Sequence, residues 1–189
     1  ENDPATGLAF NYLSYLGTAD KSAEEIASRM YALACNFDMR AGANQSTVSI
    51  SGLSENMAEA LAIVRDLAAN AVADEAVLAN LKADALKGRA DSKRNQRSCY
   101  SALTSYVTYG ADFIRKTRLS NAEVAALSSE DLLRKVREVL ANGCEVLYYG
   151  PMSEAEVKAA IPFEGSFVQL PERYPEMLQT PAPGVVLAQ

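Results

Sequence analysis

TVSISGLSENMAEALAIVRDLAANAVA, residues 47–73, is the stretch that decides the fold of this chain. Its first five residues alternate apolar and small polar side chains, which is the period-two pattern of a half-buried strand. Gly52-Leu-Ser54 breaks that period, and the Ser54 hydroxyl is predicted to cap a helix that follows, by accepting from free backbone N–H groups. A strand that leads directly into an amphipathic helix predicts a sheet covered by helices.

The helix that follows carries a single apolar stripe, because its apolar residues recur at three- and four-residue spacing. The stripe comprises Met57, Ala60, Leu61, Val64, Leu67 and Ala68. Burial of its four largest side chains would stabilise the fold by roughly 1.5–3 kcal/mol each, before the cost in conformational entropy.

The residues before this stretch predict two helices and a second strand. The first helix covers Ala5–Leu16, and the second begins at the capping box Ser22-Ala-Glu-Glu25 and runs to about Ala34. Asn36–Arg40 reads as a strand antiparallel to the one at 47–51. The residues predicted to face inward are Leu8, Tyr12, Tyr15 and Leu16 on the first helix and Ile26, Met30 and Leu33 on the second.

The second half predicts mainly helices. They are a helix from Asp74 towards Asn95 with Val77, Leu78, Leu81 and Ala85 inward, a helix over Ser98–Tyr109 with Leu103, Tyr106 and Val107 inward, helical turns at Ala111–Thr117 and Asn121–Leu127, a helix from Ser128 with Leu132, Leu133, Val136, Val139 and Leu140 inward, a strand at Glu145–Tyr149, and a helix from the capping box at Ser153–Glu156 to Pro162. The predicted fold class is α+β, a mainly antiparallel sheet covered by helices.

The chain of 189 residues is long enough for one sizeable core. We expect one α+β domain over 1–165, with its first strands missing ahead of Glu1. Residues 166–189 are expected to form a proline-rich linker and the start of a following domain, with Val185-Val-Leu as an apolar strand. Because the chain starts without Met, we expect it to be cut from a longer protein.

Composition excludes several function classes. A net charge of -6 argues against nucleic acid as a partner, and no apolar run approaches the 18 residues that suggest a membrane span. The basic stretch Lys87–Arg97 is interpreted as a solvated helix face. The chain has no histidine, which excludes Ser-His-Asp and Cys-His nucleophilic sites and every zinc site that contains histidine.

The three cysteines, Cys35, Cys99 and Cys144, form no CxxC pair and are interpreted as small buried hydrophobic residues. A different reading is an unrelated enzyme that uses Tyr148 and Tyr149 beside a Gly-Pro turn, or a Cys99 thiol activated by the basic stretch. A strand-end pair of tyrosines and a core residue at a helix start explain these residues more simply.

Several segments together resemble one repeat of the pitrilysin/insulinase family of zinc metallopeptidases (inverzincins). Their order and spacing over about Ala5 to Pro162 produce the resemblance. The segments are Tyr12-Leu-Ser-Tyr-Leu-Gly-Thr18, Ser22-Ala-Glu-Glu25-Ile, Gly42 with Val48-Ser-Ile-Ser-Gly-Leu53, Leu119-Ser-Asn-Ala-Glu-Val, Leu127-Ser-Ser-Glu-Asp-Leu132 and Leu147-Tyr-Tyr-Gly-Pro151. The resemblance implies an α+β domain of a protein in which homologous domains enclose a chamber for unfolded peptides.

An active repeat of that family carries H-x-x-E-H on its first helix and a further glutamate on a later helix. Here the corresponding turns offer Leu8, Asn11 and Tyr12, and the later helix, Leu81–Lys87, offers only Asp84. We interpret Asp84 as a solvated helix-face charge. The resemblance therefore predicts no catalytic, cofactor-binding or metal residue in this chain and a zinc ion in the catalytic domain of its parent.

The leading hypothesis is a catalytically silent domain of a larger zinc metallopeptidase, which completes the peptide-binding chamber and packs on the catalytic half. The alternative is a freestanding non-catalytic binding or assembly module of the same fold. The expected partners are other domains of the same peptidase and peptide substrates through the parent chamber. Self-association through an exposed sheet edge is also expected, whereas nucleic acid and membranes are not. The sequence fits a bacterial periplasm and a cytoplasm equally.

Overall fold

A computed structural model describes residues 3–42, 45–141 and 144–160. In chain order these residues form helices α1 (Thr6–Leu13) and α2 (Ala23–Ala32), strands β1 (Cys35–Ala41) and β2 (Ser46–Gly52), and helices α3 (Met57–Asn70), α4 (Glu75–Ser92), α5 (Gln96–Thr117), α6 (Asn121–Ala126), α7 (Ser129–Ala141) and α8 (Glu154–Ala160). The predicted linker over 166–189 lies outside the described residues.

The two strands form an antiparallel hairpin with a period-two pattern on each strand. Phe37 pairs with Ile50 and Met39 with Val48, so these apolar side chains share one face of the hairpin. Phe37, Met39 and Ile50 pack against the core, whereas Val48 is exposed. The residues between them are polar and exposed. The predicted strands and their antiparallel pairing are confirmed.

Helix α1 lies at the centre of the core. It packs against α7, β1 and α4, while α3 covers the hairpin and also contacts α7. The most deeply buried large side chains are Phe10, Tyr12 and Leu13 on α1, Leu67 on α3, Leu78 on α4, Val124 on α6, and Leu132 and Val136 on α7. The helix ends at Leu13 rather than Leu16, and Tyr15 is exposed instead of facing inward.

The predicted capping boxes are confirmed. The Ser22 and Ser153 N–H groups each donate to the glutamate three residues later, at 2.7 Å. In the first box, hydrogen bonds from the Ser22 backbone and then from its hydroxyl hold the pKa of the Glu25 carboxyl below its usual value. The Asp74 carboxylate accepts from Ala76 N at 2.8 Å and caps α4, which confirms the helix start predicted at Asp74.

Two predictions for α3 are corrected. Ser54–Asn56 forms a 3₁₀ turn, so the helix begins only at Met57 and Ser54 does not cap it. Ile63 is buried although it lies outside the predicted stripe, whereas Met57 and Leu61 are only half-buried. The buried face is turned towards Ile63 because α3 has to cover the hairpin and contact α7 at once.

Helix α5 joins the predicted helix over Ser98–Tyr109 to the predicted turns at Ala111–Thr117, and it does not have the predicted inward face. Gly110, at φ 78° and ψ 173°, kinks α5 between these two predicted segments. No residue of α5 is buried, and Tyr106 and Val107 are exposed rather than inward. Leu140 of α7 is likewise exposed. The inward prediction fails because within the described part of the chain no other element covers this face of α5.

The predicted strand at Glu145–Tyr149 is wrong. These residues have strand-forming side chains but make no ladder with any other described residue. Leu147 and Tyr149 are exposed as a result. A short segment of this kind needs a partner strand to satisfy its backbone groups, and composition alone does not supply one.

In coarse terms the predicted fold class is confirmed: the described part is α+β, mostly helical, with a small two-stranded antiparallel sheet. Among the described residues no helix is both long enough and apolar enough to cross a bilayer.

Gly52 is expected to be required by the hairpin. Its φ of 151° is unfavourable for other residues, and a Cβ there would overlap the Ala34 carbonyl oxygen and lie 2.5 Å from the Cys35 Sγ. Gly52→Ala should lower the free energy of unfolding by about 2 kcal/mol in urea titrations. Gly88→Ala is the matched control, since a Cβ on that helical residue meets nothing within 4 Å. It should raise stability by about 0.5–1 kcal/mol, and equal losses in both variants would contradict this account of Gly52.

Candidate functional site

The three residues aligned with the zinc motif by the resemblance lie on α1, in three different surroundings. Leu8 is half-buried against the core, Asn11 is exposed, and Tyr12 is completely buried. The packing of α1 between the hairpin and α7 explains this distribution, because its two flanks are covered and only the remaining arc faces solvent.

The Tyr12 hydroxyl joins three elements inside the core. It accepts a hydrogen bond from Asp74 N at 2.8 Å and lies 3.0 Å from both the Asp74 carbonyl oxygen and the Ser129 Oγ. A phenol has one donor and two acceptor lone pairs, so these contacts use its hydrogen-bonding capacity. Tyr12 is therefore a structural link between α1, the start of α4 and the start of α7, and its hydroxyl faces the core rather than an accessible cavity.

Asp84 lies on α4, ten residues beyond Asp74, which is about 15 Å along the helix. Its side chain is exposed and makes no hydrogen bond or ion pair with another described residue. The interpretation as a solvated helix-face charge agrees with this position. Within residues 3–42, 45–141 and 144–160, no three His, Cys, Asp or Glu side chains come close enough together to hold a metal ion.

A shallow groove of about 360 Å³ lies where α1 meets β1. Phe10, Asn11 and Ser14 of α1 face Phe37, Asp38 and Met39 of the strand across it. Asn11 and Ser14 can offer hydrogen bonds there, although the Ser14 hydroxyl already donates to the Asn11 carbonyl oxygen at 2.7 Å.

A larger concavity of about 630 Å³ covers the solvent side of the hairpin, which we call the open face. The open face consists of Asn36, Asp38 and Arg40 on β1 and Thr47, Ser49 and Ser51 on β2. Every one of these side chains is polar and exposed. The local sequence produces the face because alternation places all the apolar residues of both strands on the opposite side.

The open face offers side chains that can form hydrogen bonds, but none of its described residues is an activated nucleophile. Arg40 Nε pairs with the Asp38 carboxylate at 2.5 Å, and the Ser51 hydroxyl donates to the Asn36 amide oxygen. Neither serine of the face hydrogen-bonds a described side chain that could take its proton as a general base. Short hydroxyl side chains beside one exposed ion pair suit hydrogen bonding to a polypeptide backbone.

The tyrosines near the Gly-Pro turn are not arranged as a site. Tyr148 is half-buried and its hydroxyl accepts from Met152 N at 3.2 Å, which ties the turn to the segment before it. Tyr149 is fully exposed. Because no strand forms here, the interpretation of the two as a strand-end pair is wrong.

The prediction that all three cysteines are buried is wrong for two of them. Cys35 is buried, while Cys99 and Cys144 are exposed free thiols. The Cys99 Sγ donates to the Lys93 carbonyl oxygen at 3.3 Å, so Cys99 bridges a turn rather than joining the core at a helix start. Partial burial raises the pKa of the Cys144 thiol, which makes its thiolate scarcer at neutral pH.

Sequence reasoning missed the open face and the role of Ser129. The open face had a readable signal, since Asn36, Asp38 and Arg40 alternate in the same way as the residues of β2. Ser129 had none, because it meets Tyr12 across 117 positions of sequence.

Comparison with known proteins finds solved structures of similar fold but no matching sequence family. No protein-family model matches the chain, and no curated protein matches it. A variant of the ferredoxin protease FusC, solved in complex with Arabidopsis ferredoxin, is similar over 72% of this chain and 15% of its own, with a TM-score of 0.59 and 17% identity. The periplasmic protease PqqL from Escherichia coli is similar over 95% of this chain and 19% of its own, with a TM-score of 0.66 and 13% identity.

At these identities the likeness concerns the fold alone. This chain spans less than a fifth of the length of either protease. Both matched proteins are named proteases, which is the class that the resemblance in the sequence implies.

Tyr12→Phe should lower the free energy of unfolding by about 1–3 kcal/mol, because it removes the hydroxyl and leaves Asp74 N and the Ser129 hydroxyl without a partner in the core. Tyr15→Phe is the matched control, since that side chain is exposed, and it should change stability by less than about 0.5 kcal/mol. Chemical denaturation measures both. A Tyr12→Phe variant as stable as the parent would contradict the structural role of this hydroxyl.

Proposed function

We propose that this chain is a catalytically silent domain of a larger zinc metallopeptidase, which completes the peptide-binding chamber and packs on the catalytic half. The observation that carries the proposal is the likeness of its fold to a part, less than a fifth, of two proteases. The complete absence of histidine and the internal use of the Tyr12 hydroxyl support the silent role.

In this proposal the zinc ion belongs to another domain, where it activates the water that attacks the peptide bond. The residues of this chain contribute binding surface. The open face offers hydroxyl, amide and guanidinium groups that can bond an unfolded peptide whatever its side chains are, because the partners of those groups are backbone N–H and C=O.

The hairpin also has unpaired backbone groups. Each of its strands pairs on one side only within the described residues. An unpaired strand edge is a template for another strand. We propose that a strand from a neighbouring domain, or from a second copy of this chain, pairs there.

The silent role predicts that the purified chain does not cleave unfolded peptides, with or without added zinc. A fluorogenic unfolded protein substrate is the probe, and an active pitrilysin-type peptidase is the positive control. Cleavage by this chain that a chelator abolishes would overturn the proposal.

The proposal also predicts that this chain is part of a longer polypeptide, which distinguishes the silent peptidase domain from the freestanding binding or assembly module. An antibody to this chain, used to blot a lysate of the source organism, should detect a polypeptide several times heavier than 20.3 kDa. A band near the mass of the chain itself would instead favour the freestanding binding or assembly module.

The open hairpin edges predict concentration-dependent association of the isolated chain. Sedimentation velocity over a wide concentration series should show dimers growing at the expense of monomers. A chain that stays monomeric at the highest concentration would count against pairing through the edge.

A further inference from the structure

The basic residues of this chain are concentrated in one segment. Residues 87–118, here called the basic arm, contain eight of the 18 lysines and arginines but only two of the 24 acidic residues. The arm includes the end of α4, the turn to α5 and α5 itself. The arm is therefore strongly basic. Because the net charge of the whole chain is -6, the part outside the arm has to be strongly acidic.

The cations of the arm are also left without carboxylate partners. Of its eight basic residues only Arg115 forms an ion pair in the described structure. Outside the arm, six of the nine described basic residues are paired: Lys21, Arg29, Arg40, Arg134, Lys135 and Lys158. The chain thus pairs most of its described cations outside the arm, whereas all those of the arm except Arg115 lack a carboxylate partner among the described residues and are available to an external anion.

Aromatic side chains lie among these cations. Tyr100 and Tyr106 on α5 are 70% and 50% exposed, and neither forms a hydrogen bond through its hydroxyl with a described residue. Exposed tyrosine and arginine are the residue types that dominate binding energy at protein interfaces. A solvated charge run alone does not require them.

Local hydrogen bonds fix the turn that presents the cations. Asn95 N donates to the Ser92 carbonyl oxygen at 3.1 Å, and the Asn95 side chain accepts from Ser98 N at 3.0 Å. The Cys99 thiol closes the same turn on the Lys93 carbonyl oxygen. The turn therefore holds Lys93, Arg94 and Arg97 beside the start of α5, where Tyr100 follows after one helical turn.

We propose that the basic arm is a docking surface for an acidic segment of a polypeptide. Carboxylates of the partner pair with Arg94 and Arg97, and its backbone or apolar side chains pack on Tyr100. A polypeptide fits better than a nucleic acid, because a polyphosphate chain longer than the arm would meet the acidic remainder of the molecule. This inference is independent of the silent-domain proposal, since binding is measured on this chain with no catalytic partner.

The test uses a short fluorescein-labelled peptide rich in glutamate and the full chain, with anisotropy as the readout at low and physiological ionic strength. Arg94→Gln with Arg97→Gln should weaken binding about three- to tenfold at low salt and reduce its salt dependence. Arg65→Gln with Arg137→Gln is the matched control, since it removes the same charge from exposed, unpaired arginines outside the arm. It should change the Kd by less than about twofold. Tyr100→Ala should weaken binding and leave its salt dependence unchanged.

Four outcomes would overturn the proposal. They are no binding of the acidic peptide, equal weakening in the two arginine pairs, tighter binding of a single-stranded oligonucleotide of the same charge, and loss of a dimer in sedimentation when the arm is changed, which would make a second copy the occupant. Unchanged thermal unfolding of both double variants shows that any difference arises from binding rather than folding.

Discussion

The fold depends on the burial of one phenol. Tyr12 lies at the centre of the core, and its hydroxyl is satisfied only if the backbone of Asp74 and the side chain of Ser129 are both within reach. An unsatisfied hydroxyl in this position costs free energy comparable to that of several surface contacts. The starts of α4 and α7 are therefore fixed relative to α1, and the hairpin and α3 pack around that arrangement.

Features that depend on local sequence were predictable, because a few neighbouring residues determine them. The capping box at Ser22 and the stripe Ile26, Met30 and Leu33 of α2 were both readable, since caps and helical periodicity act within one or two turns. The hairpin followed from alternation on two neighbouring strands. The break predicted between Tyr109 and Ala111 corresponds to the kink at Gly110, where glycine adopts a positive φ.

Features that depend on a distant partner were not predictable. Ile63 is buried because α3 touches both the hairpin and α7, an arrangement that the periodicity of α3 does not contain. The predictions for Tyr106 and for Glu145–Tyr149 failed for the opposite reason. The pattern at Tyr106 predicts a covered helix face, but no other described element covers it. The pattern at Glu145–Tyr149 predicts a paired strand, but no described strand pairs with it. A pattern states what a segment can bury, whereas the rest of the fold decides whether it does so.

The candidate site also combines features that local sequence determines with features that depend on a distant partner. The sequence contains no histidine and therefore no H-x-x-E-H motif, but it gave no indication of what Tyr12 does in the fold. A metal ligand must direct a lone pair into an accessible cavity, whereas the Tyr12 hydroxyl directs its lone pairs and its proton into the core. Replacing Tyr12 by histidine would remove the contacts of the hydroxyl to Asp74 and Ser129 and place an imidazole in the buried core rather than in an accessible cavity. On this helix the Tyr12 side chain belongs to the core.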